Sequence, residues 1–480
     1  MSTSEVSVGG SGEIVKRTLI GALQQTSKGV LIVALIIGKT EPRRVVMRKD
    51  GGERFVSSFT LRDSPSDIIN LTLWTSREEA DEYQEKFKIG SIIDLIKPRV
   101  INRDFGSDQE KYSPVATSPF QLGNIEGKTI ITEHLGDWSR FQSLLSIPTK
   151  PSAGYFSISD ILECKKLVGR NVDLCVAVRS VGPVKIFKGR DGEERKVRDV
   201  KLFDLTAPCI VMKVWDMNLI GLSDSWIPRE TILFLADIKV SFDEWRGCNS
   251  VSCTGKTIIT QNPEIGEAKI LANHCQTADF SSYSRMDALV ANINPSTISQ
   301  VHNVFSLMDE LNKVYQDKEG MLLTNLYGYI TMLDIDQAQV PTTSRCGCCT
   351  MPYRPDEGTG HPCCTNIDCK EYRCTSADRH ELVQYDVKVD ISDETGTLLK
   401  CMLRPEVLER SFGVSGSDFM ELSDANRTSF KWELFLVPLK LSLAIILPTL
   451  DRRNPIICIV HISPVGSEEI CSKMPSPVFQ

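Results

Sequence analysis

The sequence predicts a mainly β protein in which three small barrels follow one another, connected by loops and short helices. Short β-branched runs bounded by Gly, Pro, Asp or Ser recur along the 480 residues, whereas helical periodicity is scarce. One pattern, an apolar strand, a long loop and a hairpin with an acidic turn, occurs three times at intervals of about 130 to 150 residues. A five-stranded barrel with a long first connection produces such a pattern.

The first two copies of the pattern match each other in order and spacing. In the first copy, the apolar run 29–40 precedes a basic stretch and the hairpin 55–74. In the second copy, the apolar run 172–182 precedes the basic run 185–200 and the hairpin 201–216. Each copy therefore predicts one barrel.

The third copy has a cysteine cluster in place of the long first loop. Its apolar strand is 326–336 and its hairpin is 385–403. In chain order we expect a disordered tail at 1–17, a first barrel at 18–147, a second at 154–275, a linker at 276–299, a third barrel at 300–465 and a tail at 466–480.

The composition predicts a soluble, intracellular protein. No stretch of 18 apolar residues occurs, and the densest candidate, 434–450, contains two prolines and a lysine, so it predicts strands joined by a turn. The net charge of -7 argues against indiscriminate binding to polyanions. Any binding to nucleic acid must therefore use a local basic groove with stacking side chains.

The second barrel offers the best candidate groove for a single strand. Residues 185 to 201 include seven basic and four acidic side chains, so this arm is basic within an acidic protein. Bound single strands need cations for the phosphates and aromatic rings for the bases. The predicted nucleic-acid-binding residues are Lys185, Phe187, Lys188, Arg190, Arg198, Lys239, Trp245, Arg246 and Lys256.

Trp245 is the sharpest single candidate in this set. It lies in the polar hairpin sequence Phe-Asp-Glu-Trp-Arg-Gly, where an exposed indole beside a guanidinium could stack a base. The alternative is that Trp245 closes the barrel as a core or rim residue. Trp74 and Trp215 each follow an alternating apolar strand, and we assign both to the core.

The first barrel has a comparable basic loop with three interpretations. It contains Arg43, Arg44, Arg48, Lys49, Arg54 and Phe55. A solvated charge run is as good an explanation as a contact with DNA, and the loop could equally contact protein.

The seven cysteines between Cys346 and Cys374 predict a zinc site. A tetrahedral site needs two ligand pairs on tight turns, joined by a loop. Cys346 with Cys349 and Cys364 with Cys369 fit this requirement. The remaining possible ligands are Cys348, Cys363, Cys374 and His361. Four thiolates leave no position open for a reacting water, so we expect the zinc to be structural.

No catalytic motif is found in the sequence. Each of three Gly-Lys-Thr triplets would need a glycine five positions earlier to form a phosphate-binding loop, and those positions hold Val33, Leu122 and Ser250. Acidic clusters occur at strand ends or turns, where turn formation explains them. They are Asp334 with Asp336, Asp390 with Asp393 and Glu394, and Asp243 with Glu244.

Five segments of the chain resemble the large subunit of replication protein A and, more closely, the family of meiosis-specific proteins with OB domains. They are the segments 59–65, 178–182, 225–234, 256–271 and 389–398. The resemblance covers roughly residues 18 to 465 and implies that the barrels are three tandem OB folds, the third with a zinc-ribbon insert. Trp245 is similar to a stacking aromatic of replication protein A, but Val197 stands near the place of the other one.

The resemblance also implies a function. It implies binding of single-stranded DNA in meiotic homologous recombination, together with replication protein A and a spermatogenesis-associated meiotic partner, in the nucleus on meiotic chromosomes and also in the cytoplasm. A 3'-to-5' exonuclease activity on single strands is attributed to the family, and no residue here can be assigned to it. The alternative is a protein-interaction scaffold whose first and third barrels hold partners.

Overall fold

The computed structural model describes most of the chain and divides it into two compact units. The described residues are 5–7, 14–47, 52–106, 112–151, 154–188, 192–277, 290, 293–313, 320–336, 341–349, 351–355, 361–364, 369, 380–449 and 452–473. Unit 1 comprises Met1–Asp243 and Cys248–Ala278, and unit 2 comprises Glu244–Gly247 and Asp279–Gln480. The mainly β fold class with three barrels is confirmed.

Barrel 1 is built from a ten-stranded sheet in unit 1. Its strands are β1 (Glu5–Ser7), β2 (Ile14–Arg17), β3 (Val30–Lys39), β4 (Arg43–Val46), β5 (Glu53–Arg62), β6 (Ile68–Thr75), β7 (Ile92–Ile96), β8 (Arg99–Asn102), β9 (Phe120–Gly123) and β10 (Ile130–Glu133). Its helices are α1 (Arg77–Lys86) and α2 (Ser139–Gln142), with 3-10 turns at Ile20–Ala22 and Ser143–Ser146.

The strands of this sheet pack around an apolar core. β3 pairs with β5 and β7, β5 with β6, and β6 runs parallel to β9. Strand β2, which we expected in a disordered tail, pairs parallel with β3 and buries Val15. Burial of that side chain explains why the tail prediction fails there.

Barrel 2 is a ring of five strands with a sixth strand added. The strands are β11 (Asn171–Lys188), β12 (Glu194–Phe203), β13 (Ile210–Val214), β14 (Ile232–Asp243), β15 (Cys248–Ser252) and β16 (Ile258–Gln261). β13 and β15 pair in parallel, and β11 returns to β14 to close the ring. The helices are α3 (Ile158–Glu163), α4 (Met217–Ser223) and α5 (Gly266–Thr277), with a 3-10 turn at Lys165–Leu167.

Unit 2 contains barrel 3 and the cysteine-rich insert. Its strands are β17 (Met321–Leu333), β18 (Thr342–Cys346), β19 (Arg354–Pro355), β20 (Pro362–Cys363), β21 (Glu381–Tyr385), β22 (Val387–Asp393), β23 (Gly396–Leu403), β24 (Leu439–Ile446) and β25 (Ile456–Pro464). Its helices are α6 (Val304–Lys313), α7 (Pro405–Phe412), α8 (Gly416–Met420), α9 (Asp424–Leu434) and α10 (Ser467–Lys473), with a 3-10 turn at Pro295–Thr297.

The closed barrel of unit 2 runs in the order β17, β22, β23, β25, β24. The insert, with β18, β19, β20 and β21, occupies the first long connection, as the sequence predicts. The described residues of the segment 434–450 hold one strand, β24, where we expected strands joined by a turn. None of the helices in the described residues is long and apolar enough to span a bilayer.

Glycine in the first strand of barrels 2 and 3 permits a close approach between strands. A Cβ on Gly182 would lie 2.6 Å from the Asp199 carbonyl oxygen, and a Cβ on Gly328 would lie 2.5 Å from that of Ser392. Any larger residue would push the second strand away, so glycine is required where the first strand bends around the barrel.

Candidate nucleic-acid interface and metal centre

Strand register in barrel 2 places one row of polar side chains on the outward face. Lys239 pairs with Ser252, Ser252 with Lys213, and Lys213 with Asp199, across four neighbouring strands. The residues between them along each strand, such as Met212 and Val240, are buried in the barrel. Lys213 was not among the predicted residues. Its place two positions before Trp215 could have indicated that the two side chains lie on the same face of the strand.

Carboxylates neutralise the middle of this row. Lys185 contacts Asp199 at 2.7 Å, and Lys213 contacts Asp243 at 3.3 Å. The basic arm seen in the sequence is therefore less cationic in three dimensions than its composition indicates. Lys188 and Lys239 are exposed, whereas Lys256 is half-buried beside Thr254.

Arg198 does not belong to the outward face. The side chain is 1% exposed and donates to the Ile220 carbonyl at 3.0 Å and to Ser223 Oγ at 2.7 Å, and it also contacts Asp224. It thus ties β12 to the helix α4, and our assignment of Arg198 to nucleic-acid binding is wrong. A buried guanidinium needs such a set of acceptors and cannot at the same time reach a phosphate.

Two residues of the predicted nucleic-acid-binding set lie wholly or partly outside the described part of the structure. Arg190 lies outside the described residues, and of Phe187 only the backbone in β11 is described. Nothing in the structure bears on their predicted role.

Trp245 lies in the connection between β14 and β15. Its side chain is 58% exposed, and the Arg246 guanidinium carbon lies 5.5 Å from its ring centroid. The ring is thus accessible and has a cation against one face, as in a cation–π pair. This exposure excludes the core position named in the alternative interpretation, and the rim position stays untested.

Trp74 and Trp215 are exposed, contrary to our assignment of both to the core. Their side chains are 45% and 40% exposed. Thr72 in β6 and Lys213 in β13 hold equivalent places in the parallel pairings of the two barrels, and each tryptophan follows two residues later. Since side chains alternate along a strand, both tryptophans point away from the core.

Asn124 fixes the backbone of Trp74. The Trp74 N–H donates to Asn124 Oδ1 at 2.9 Å, and Asn124 Nδ2 donates to the Trp74 carbonyl at 2.8 Å. Val56, directly across from Trp74, pairs on its other side with Arg43 of β4. The register therefore places an exposed arginine, an aliphatic residue and an indole in one row on barrel 1.

Phe105 is a candidate that the sequence interpretation missed. It follows β8, in the connection that corresponds to the Trp245 hairpin of barrel 2, and is 68% exposed. The Arg103 guanidinium carbon lies 5.0 Å from its ring centroid, and Arg103 Nη1 donates to the Ala116 carbonyl at 2.6 Å. Barrel 1 thus repeats the arrangement of an exposed ring beside an arginine.

The basic loop of barrel 1 is partly neutralised. Arg44 pairs with Glu53, and Arg54 contacts Glu126 at 3.3 Å. Arg43 is exposed, Phe55 is half-buried, and Arg48 and Lys49 lie outside the described residues. Arg43 is therefore the member of this loop best placed beside Trp74.

Barrel 3 differs at the position of the two tryptophans. After β23 stands Arg404, which caps the start of α7 and donates to Glu406 from both Nε and Nη2 at 3.2 Å. The position that holds an exposed tryptophan in barrels 1 and 2 is thus held in barrel 3 by an arginine paired with Glu406.

Four cysteines of the insert converge. The Sγ atoms of Cys346, Cys349, Cys364 and Cys369 all lie within 4.8 Å of one another. Two of the separations are 3.6 Å between Cys346 and Cys369 and 3.4 Å between Cys349 and Cys364. Cys348 is exposed, Cys363 is buried outside this group, and Cys374 lies outside the described residues.

This donor set fits a tetrahedral ion. With Zn–S bonds of about 2.3 Å, the sulfur atoms of a tetrahedral site are about 3.8 Å apart, close to the separations observed. Two backbone hydrogen bonds hold the turn that carries the first pair. The Cys346 N–H donates to the Met351 carbonyl at 2.9 Å, and the Gly347 N–H donates to the carbonyl of His380, further along the chain, at 2.6 Å. The insert can therefore hold a metal ion.

The acidic clusters have structural partners. Asp393 caps α6, Asp243 pairs with Lys213, and Asp336 contacts Lys431 at 2.9 Å. In the part of the chain that the structure describes, the four cysteines form the only group of three or more His, Cys, Asp and Glu side chains positioned to hold a metal.

The three barrels define a protein built from tandem OB folds. The sequence model of the N-terminal OB domain of MEIOB matches residues 13–151. The rat meiosis-specific with OB domain-containing protein is 32% identical over 441 residues, which cover 90% of this chain and 91% of that protein. The chain therefore belongs to the family of meiosis-specific proteins with OB domains.

Other relatives and a solved structure are also similar. The human member of the family is 31% identical and covers 82% of this chain and 89% of its own length. The Drosophila melanogaster protein hold'em is 25% identical and covers 96% of this chain and 99% of its own. Among solved structures, a replication protein A heterotrimer bound to single-stranded DNA is similar with a TM-score of 0.38 and 14% identity, covering 95% of this chain and 97% of that chain.

Proposed function

We propose that the protein binds single-stranded DNA along the outward faces of barrels 1 and 2. The observation that carries this proposal is the repeated pair of exposed aromatic residues, Trp74 with Phe105 and Trp215 with Trp245. Each pair combines a tryptophan at the end of β6 or directly after β13 with a ring in the connection that follows β8 or β14, and each of these rings has an arginine beside it. Unpaired bases offer faces for such rings, whereas bases within a duplex do not.

The charges assign complementary roles to the other residues. Lys239, Lys188 and Arg43 are exposed cations that can contact phosphates. Lys185 and Lys213 are each held by an aspartate, so we assign them weaker phosphate contacts. Stacking then contributes more of the affinity than charge does, which fits a chain with a net charge of -7.

The family name supports a role in meiosis. We propose that single-strand binding serves meiotic homologous recombination, in company with replication protein A and a spermatogenesis-associated partner, in the nucleus on meiotic chromosomes and also in the cytoplasm. The names of the mammalian relatives, which state meiosis specificity and OB domains, support this proposal at the level of the family.

We propose that the ion held by the four cysteines is zinc and that it stabilises the insert of barrel 3. Four thiolates satisfy a tetrahedral ion completely, so this chemistry supports folding and leaves no coordination site for a substrate.

Exonuclease activity stays a prediction from the family resemblance, without assigned residues. A two-metal nuclease site would need several free carboxylates that converge on two ions. Carboxylates of the acidic clusters are instead paired with other groups of the protein, so we propose binding of DNA and not its cleavage. For barrel 3, the replacement of the stacking tryptophan by the paired Arg404 favours the scaffold alternative, in which this barrel contacts proteins.

A titration of the purified full chain tests the proposal. We expect a labelled oligothymidine strand to bind, a duplex of equal length to bind at least tenfold more weakly, and affinity to fall as salt rises. The Trp215→Ala variant should bind more weakly than the parent, and Trp432→Ala, which removes an exposed tryptophan of unit 2, serves as the matched control. Equal affinity for both forms of DNA, or none for either, would reject the proposal.

A further inference from the structure

The connection between barrels 1 and 2 is held from both sides. Arg62 of barrel 1 is buried and donates from its guanidinium to the carbonyls of Ile147 and Pro148. Lys150 donates to Asp173 at 3.1 Å and contacts Asp237 at 2.8 Å, and both aspartates belong to barrel 2. One residue, Thr149, separates the two attachment points. Residues 147–150 of this connection therefore have little freedom to act as a flexible linker.

Direct contacts join the two barrels as well. Gln84 Nε2 in α1 donates to Asn218 Oδ1 in α4 at 2.6 Å, and the Met217 N–H donates to the Glu41 carboxylate. The Glu264 N–H donates to the Ser146 carbonyl at 3.0 Å.

The packing at this interface is close. Gly38 leaves no room for a Cβ beside the Cδ1 of Ile258, which is buried. This apolar contact and three hydrogen bonds therefore join the two barrels in addition to the connection.

These contacts lie next to the proposed DNA-binding side chains. Met217, which contacts Glu41, is two residues from Trp215, and Arg43 is two residues beyond Glu41 on barrel 1. From Arg43 the strand register leads through Val56 to Trp74. A short, continuous path over the surface of unit 1 therefore joins the two exposed tryptophans.

We propose that barrels 1 and 2 form one rigid body before any ligand is bound, and that Trp74 and Trp215 belong to one continuous track for a single strand. This inference rests on the proposed function for the identity of the ligand. A strand that reaches both barrels would bind without first ordering them, so less binding free energy is lost to ordering than for two barrels on a flexible linker.

The distance between the barrels tests the rigid coupling directly. Spin labels on non-natural amino acids at Glu82 and Lys166, both exposed, avoid the cysteines of the chain. We expect one narrow distance distribution in the free full-length protein, unchanged when oligothymidine is added. A broad distribution that narrows on addition of DNA would overturn the proposal. A narrow distribution in a protein that binds no DNA would refute the proposed function, and with it the shared track, while confirming the rigid coupling.

Loosening the interface tests the shared track. Lys150→Ala, and the triple variant that adds Gln84→Ala and Glu41→Ala, should broaden the distance distribution. They should weaken binding of a strand long enough for both barrels by about tenfold and leave a strand that reaches only one barrel unaffected. Lys165→Ala, which removes an exposed lysine of barrel 2, is the matched control. A broadened distance distribution with unchanged affinity for the long strand would overturn the shared track. A distance distribution that stays narrow in the triple variant would overturn the assignment of these contacts.

Discussion

Asp204 Oδ2 accepts a hydrogen bond from the backbone N–H of Ile158 at 2.7 Å, so the acidic turn of barrel 2 caps the helix that precedes the barrel. The same relationship recurs in the other barrels. Asp63 Oδ2 accepts from Ile20 N, and Asp393 Oδ2 accepts from Val304 N, each at 2.7 Å. The acidic turn that occurs three times in the sequence therefore anchors a helix in each barrel, and its carboxylates are engaged in structure.

Replacing Asp204 should destabilise barrel 2. Besides Ile158 N, its carboxylate accepts from Thr206 N at 2.8 Å and from Ala207 N at 2.9 Å. We expect Asp204→Ala to lower the free energy of unfolding by about 1 to 3 kcal/mol, because it leaves several donors unsatisfied. Chemical denaturation measures this, with Glu230→Ala at an exposed position of the same barrel as the control. Equal losses in both variants would contradict the capping role.

Asp63 should make stability depend on pH. Burial raises the pKa of this carboxyl to about 6, while the hydrogen bond from Ile20 opposes the rise and Asp67 adds to it. Between about pH 4 and 6 the folded protein therefore binds more protons than the unfolded chain, and the free energy of unfolding falls as pH rises through this window. Above pH 6 this contribution levels off.

The Asp63→Asn variant tests this dependence, because the amide oxygen can still accept from Ile20 while the ionisation is removed. Its free energy of unfolding should fall less than that of the parent between pH 4 and 6. Asp81→Asn, at an exposed position of α1, is the control. Parallel pH profiles for parent and Asp63→Asn would show that the raised pKa has no thermodynamic consequence.

Removing the rings should weaken single-strand binding barrel by barrel. Each stacked base contributes about 1 to 3 kcal/mol, so Trp215→Ala or Phe105→Ala should raise the Kd for oligothymidine by roughly 5- to 150-fold. Fluorescence anisotropy with end-labelled DNA gives the constants, and circular dichroism checks the fold. If the substitution of Phe105 had no effect, its hairpin would not form part of the track.

The architecture was predictable because it repeats. Three copies of strand, long loop and hairpin predicted three barrels, and cysteine spacing predicted the four sulfur atoms that converge. Trp74 and Trp215 were assigned to the core because each follows an alternating apolar strand, but both strands begin with consecutive buried residues, which hide the parity that points outward. Ile68 and Ile69 are both buried, as are Ile210, Val211 and Met212. Where both faces of a strand are covered, the sequence does not reveal which parity points outward.

Partners that are distant in the sequence explain the other differences between the predicted site and the structure. Arg198 lies in a basic run that predicts a solvated face, but Asp224 and the carbonyl of Ile220 come from a helix more than twenty residues later and draw it inward. Lys185 is neutralised by Asp199 on the neighbouring strand. Phe105 was recognisable only by aligning its hairpin with that of Trp245, where a ring and an arginine also lie close together.

Asp199 should oppose DNA binding. Its carboxylate lies on the outward row, contacts Lys185 and is paired in register with Lys213. Asp199→Asn should release Lys185 for phosphate contact, tighten the binding of single strands and steepen the salt dependence by about 0.7 in log–log slope. Lys239→Ala should weaken the binding of single strands and make the salt dependence less steep. Weaker binding by Asp199→Asn would place this face outside the DNA path.

The insert should bind one zinc ion through four of its clustered cysteines. Native mass spectrometry of the full chain should show one zinc in the parent, and Cys349→Ser should lose it because three thiolates leave the tetrahedron incomplete. Cys348→Ser changes the adjacent, exposed cysteine and should keep the ion. Removal of the zinc ion by a chelator should make the insert susceptible to protease. Trp215 and Trp245 should still bind oligothymidine, because the aromatic pairs lie on other barrels. Retention of zinc by Cys349→Ser, or its loss from Cys348→Ser, would show that a different set of sulfur atoms holds the ion.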